Sequence, residues 1–112
     1  MLPINLKLFD GTITEDGETK SVGIKVQDFR GGWFFIKVSA PSGTDPTLEV
    51  DIITYDKTTE AWYVIGYFDQ FVAAGEQALY IPDVGEEIAI QYRITGTDTP
   101  SFPAKVGAIL RD

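Results

Sequence analysis

Ser42-Gly43-Thr44-Asp45-Pro46 and Thr95-Gly96-Thr97-Asp98-Thr99-Pro100 are one phrase written twice. Each follows a run of alternating apolar residues, and each opens onto another. Glycine supplies positive φ, aspartate a side chain that bonds to nearby backbone, and proline a fixed φ, which together reverse a chain between strands. Two such phrases in 112 residues predict an antiparallel β domain built from hairpins.

Outward from these phrases the apolar period stays at two, and no stretch of ten residues carries a 3.6-residue stripe. Ile4, Leu6 and Leu8 alternate with polar residues in a first strand, followed by turn signals at Asp10-Gly11 and Glu15-Asp16-Gly17. Val22, Ile24 and Val26 form a second strand. Gly31-Gly32 has the composition of a type I′ hairpin turn, leading to a strand with Phe34, Ile36, Val38 and Ala40 on one face and Trp33, Phe35, Lys37 and Ser39 on the other. Leu48, Val50 and Ile52 alternate next, and Ile53 and Tyr55 break that parity, which predicts a bulge or a strand covered on both faces. A polar loop at 56–60, a strand from Trp62 to Phe68 and a strand at 78–81 follow. Ile88, Ile90, Tyr92 and Ile94 then alternate before the second phrase, and Phe102, Ala104, Val106, Ala108 and Leu110 after it.

Turns every 8 to 12 residues with no crossover helix predict an all-β fold. The expected architecture is an antiparallel β-sandwich, jelly-roll-like, of seven to eight strands, with residues 1–112 forming one domain and residues 1–9 an edge strand or an exchanged arm. A chain of this length buries roughly two thirds of its unfolded surface, and 44% apolar residues suffice for that core.

Seventeen acidic against nine basic residues give a net charge of −8, which repels nucleic-acid phosphates and anionic lipid. Neither nucleic acid nor membrane is an expected partner. Cysteine is absent, so disulfides and thiolate chemistry are excluded; the stretch Met1 to Lys7 shows no basic region followed by a long apolar run, and no window approaches 18 apolar residues. A soluble protein made without a secretion signal is expected.

Histidine is also absent, which removes the usual general base and the commonest transition-metal ligand. Glu49 and Asp51 would share a strand face at about 6 to 7 Å, near the spacing of inverting glycosidases, although alternating acids on a solvated strand have an ordinary explanation. Asp10, Glu15, Asp16 and Glu18 offer oxygen ligands but lack EF-hand spacing. Asp45 and Asp98 read as turn formers. No catalytic residue, metal ligand or cofactor is assigned, and the chain is read as a non-enzyme.

Ser42-Gly43-Thr44-x-Pro46-Thr47-Leu48-x-Val50, a strand centred on Trp62, the Ala74-Gly75 turn and Thr95-Gly96-Thr97-x-x-Pro100-Ser101-Phe102 recur in order over about two thirds of the chain. In that order and spacing the segment from Ser42 to Asp112 resembles a group of small structural proteins of tailed bacteriophages. The resemblance implies a virion component, a capsid decoration or cement protein on the capsid surface. Such a protein is made in the host cytoplasm, binds the major capsid protein, and assembles as a homo-oligomer, a dimer or trimer, that bridges capsomers by interface energy alone.

Candidate interface residues are Ile4, Leu6 and Leu8, which could add to a neighbour's sheet, and Trp33, Phe35 and Tyr55, which lie off the core parity. Two alternatives stand beside decoration. A carbohydrate- or receptor-binding module of a fibre would stack Trp33, Phe35, Tyr55 or Trp62 on sugar, and a head-tail connector or tail-tube component would form a ring of six or more.

Overall fold

The structure, a computed structural model, describes residues 3–112. Its strands are β1 (Ile4–Ile13), β2 (Gly17–Glu18), β3 (Ile24–Lys25), β4 (Gly31–Val38), β5 (Ser42–Asp56), β6 (Ala61–Tyr67), β7 (Gly75–Ile81) and β8 (Glu87–Arg111), with one 3-10 turn at Lys20–Val22. Every strand pair is antiparallel. The all-β sandwich expected from the period-two pattern is the fold observed.

β8 organises it. Its first half pairs with β5 on one side and with β2 and β3 on the other; its second half pairs with β1 and β4. One sheet therefore runs β1-β8-β4-β7 and the other β6-β5-β8 with β2 and β3 at its edge. Phe34, Ile36 and Val38 of β4, Leu48, Val50 and Ile52 of β5, and Ile88, Ile90, Phe102, Val106 and Leu110 of β8 fill the space between the sheets. Burying each such side chain contributes roughly 1.5–3 kcal/mol.

The paired phrases have a different role from the one their composition predicts. β4 and β5 do not pair with each other, so Ser42–Pro46 closes no hairpin. The two phrases pair with one another instead, Ser42 opposite Ser101, Thr44 opposite Thr97 and Thr47 opposite Thr95, with register shifts between these pairs. They form a bulged corner where β5 and β8 pass together from one sheet to the other, using positive φ at Gly43, Asp45, Gly96, Asp98 and Thr99. Hydroxyl hydrogen bonds between Ser42 and Ser101, Thr47 and Thr95, and from Thr44 to the Asp98 carboxylate clamp the corner.

Two further expected turns and one expected strand are corrected. Gly31-Gly32 is the start of β4, buried and without positive φ. A Cβ on Gly32 would collide with the carbonyl of Ile109, and one on Gly31 with those of Ile81 and Pro82, so backbone crowding, not a turn, selects glycine. Asp10-Gly11 lies inside β1, opposite Lys105 and Ala104. Of the strand expected at Val22–Val26 only Ile24–Lys25 forms; Val22 ends the 3-10 turn and is exposed. The expected break at Ile53 is present: the β5–β6 register shifts between Ile52 and Ile53, and both are buried.

Candidate functional site

Alternation along a strand sends every second side chain outward, and cross-strand register aligns these into rows. On the outer face of the β1-β8-β4-β7 sheet the rows are Tyr80, Trp33, Ile109, Asn5; then Ala78, Phe35, Gly107, Lys7; then Glu76, Lys37, Lys105, Asp10. The middle row is low, because Phe35 is flanked by alanine and by a glycine. A groove of about 600 Å³ follows it, lined by Lys7, Phe35, Ala78 and Gly107 and by the charged row beside them.

Trp33 and Tyr80 stand 45% and 55% exposed on the aromatic side. Their rings lie 5.4 Å apart and tilt by 58°, so they brace each other while both stay exposed. Opposite them Lys37 and Lys105 are directly adjacent, with Glu76 and Asp10 at the two ends of the row.

The outer face of the other sheet differs. Trp62 packs against Tyr55 with ring centroids 5.4 Å apart and planes tilted by 54°, and both are half-buried. Val64, Ile53 and Ala89 form the next row, followed by Tyr67, Asp51 and Gln91. Ile53 and Ala89 are buried although they lie outside the main core, whereas Val64 is 51% and Tyr67 66% exposed. Beside them Arg93 donates to Asp51 and Glu49 at 2.9 Å each, and Gln91 also donates to Asp51. Those bonds, to Asp51 first and Glu49 second, raise the Arg93 pKa above its ordinary value. The carboxylate pair considered for glycoside chemistry is thus bound to one guanidinium and supports the sheet.

The acids near the N-terminus diverge. Asp16 accepts from the Ile94 amide and Glu18 from the Lys20 amide, while Asp10 lies in the groove row. Among the described residues no group of three or more acids could hold a metal ion.

The candidate interface residues also separate. Trp33 and Phe35 share the groove face, but Tyr55 lies on the opposite sheet with Trp62. Leu8 is only 8% exposed and belongs to the core, so it offers no docking surface; Leu6 packs half-buried on that core and Ile4 is exposed at the end of β1. A bulge at Leu8, between Lys7 and Phe9, turns it inward. Tyr80, Val64, Tyr67 and the lysine row escape a reading along the chain, because only cross-strand register assembles them.

No family model matches the chain, and no curated protein does. Solved structures do. A xylan-binding module superposes with a TM-score of 0.52 at 9% identity over 97% of this chain and 96% of its own. A structure of infectious bursal disease virus, Gx strain, gives 0.54 at 7% identity, covering 98% of this chain and 32% of the viral one. The CBM22-1-GH10 modules of xylanase 10B from Clostridium thermocellum, solved with xylohexaose, give 0.50 at 11% identity, covering 97% and 29%. The chain spans about a third of the length of the viral and xylanase chains. At these identities the likeness is one of fold.

Proposed function

We propose that this chain is a non-enzymatic virion protein that decorates a capsid, docking on the major capsid protein and stabilising the head as a small homo-oligomer on the capsid surface. The observation that carries the reading is the outer face of the β5-β6 sheet, where Val64 and Tyr67 stand 51% and 66% exposed beside the half-buried Tyr55 and Trp62. Exposed apolar side chains grouped on one sheet face mark a surface that gains free energy by being covered. The phage-like pattern from Ser42 to Asp112 supports a virion setting, and the occurrence of the same fold in a virus structure accords with it. Stabilisation needs only contact area that must be broken before capsomers separate.

Co-sedimentation with purified capsids tests this. The protein is expected to pellet with capsids and to raise the temperature at which they release DNA, and V64E/Y67S is expected to weaken binding at least tenfold. Absence of pelleting, with equal heat stability of bare and decorated capsids, removes the proposal.

The groove on the other sheet favours a second activity, binding of glycan. Phe35 lines the open cleft and the exposed Trp33 and Tyr80 stand in the row beside it, together the kind of aromatic surface that receives the C–H face of a sugar. The same fold in a xylan-binding module supports this reading. The two activities use opposite faces of one sandwich, so one molecule accommodates both.

A further inference from the structure

The groove carries a charge pattern that sugar stacking alone leaves unused. We propose that its occupant is a carboxylated oligosaccharide of the uronic-acid type, with ring faces on Trp33, Phe35 and Tyr80 and carboxylates over Lys37 and Lys105. This rests on the glycan reading of the groove and names the class of glycan.

Lys37 and Lys105 sit directly opposite each other on β4 and β8, and Lys7 stands in the adjacent row opposite Gly107. Like charges facing across a strand pair are destabilising. Lys25, Arg30, Lys57 and Arg93 each reach a carboxylate, whereas Lys7, Lys37 and Lys105 make no ion pair among the described residues. Three of the nine basic residues of a chain with net charge −8 therefore line one groove. Glu76 and Asp10 end the row, so the cationic centre is about two strand spacings wide, roughly 10 Å.

The surrounding chemistry selects among anions. β4 is hydrogen-bonded to β7 and β8, and β8 to β4 and β1, so Lys37 and Lys105 stand on internal strands, and an acidic peptide could pair only along the β1 or β7 edge, away from these two lysines. Nucleic acid extends beyond the lysines into the field of the whole acidic molecule. A short saccharide stays within a Debye length of about 8 Å of them. Its C–H faces meet the rings, its carboxylates meet the ammonium groups, and its hydroxyls remain in water at the open side.

Titration of the full chain with trigalacturonic acid, trimannuronic acid and neutral galactotriose, read by calorimetry and tryptophan fluorescence, decides the matter. At least one uronate is expected to bind saturably and at least tenfold tighter than the neutral trimer, with affinity falling as salt rises. K37Q/K105Q is expected to abolish that preference, and W33A to weaken both ligands, while circular dichroism shows each variant folded. Equal binding of acidic and neutral trimers overturns the carboxylate assignment and leaves the glycan reading standing. Absence of binding by all three overturns both. Uronate binding that K37Q/K105Q leaves unchanged places the anion site elsewhere and overturns the proposal.

Discussion

Gly32 shows how one residue type answers two different demands. In sequence, Gly31-Gly32 between apolar runs has the composition of a type I′ turn. In the fold Gly32 lies between Ile81 of β7 and Leu110 of β8, where any Cβ would meet the Ile109 carbonyl. The need for glycine is legible in the chain, but its cause is a long-range approach that no local pattern encodes. Ala at this position must push β8 away from β4, an overpacking that costs about 1–3 kcal/mol. G32A is therefore expected to lower the urea midpoint clearly, whereas K37A, at an exposed position of the same strand, is expected to stay within about 0.5 kcal/mol of wild type. An unchanged midpoint for G32A would mean that the strands separate without cost and that crowding is not what selects the glycine.

At the scale of elements the corner between the sheets teaches the same lesson. The alternations at 88–94 and 102–110 were readable as strands, and their inward faces are the core. That they form one 25-residue strand was not readable, because a bulged corner and a hairpin both call for Gly, Asp and Pro with positive φ. The groove follows the same division: Trp33 and Phe35 stand out by parity within one strand, while Tyr80, Lys37 and Lys105 become neighbours only through register. Asp98 gives the corner a direct test, since it holds φ 60° and accepts the Thr44 hydroxyl. D98A loses the hydrogen bond and meets left-handed strain of roughly 1–2 kcal/mol. D98G loses the bond but adopts the backbone freely. D98A is expected to be the less stable of the two in urea by about 1 kcal/mol; equal midpoints would show that the corner relaxes when its side chain is removed.

The whole molecule measures 44 × 29 × 19 Å, a thin sandwich with two outer faces and a long strand, β1, along one edge. Its architecture bears on assembly, because the proposed decoration role asks copies to hold together as well as adhere. β1 places Leu8 and Ile13 in the core against its own chain's β8, with the bulge at Leu8 setting that orientation. Exchange of β1 between copies would fill the same slot with a neighbour's Leu8, so the two arrangements share their contacts and differ in how stability depends on concentration. Leu8→Ala removes a core side chain and costs about 2–3 kcal/mol. With β1 folded on its own chain, the variant is expected to lose that stability equally at every protein concentration and to keep the solution mass of the wild type. An exchanged strand predicts the reverse signature: the mass of the variant falls toward the 12.4 kDa of one chain, and the wild-type midpoint climbs with concentration. Light scattering and urea unfolding, run on both proteins over a hundredfold range of concentration, separate a sandwich that is complete in one chain from one completed by its neighbour.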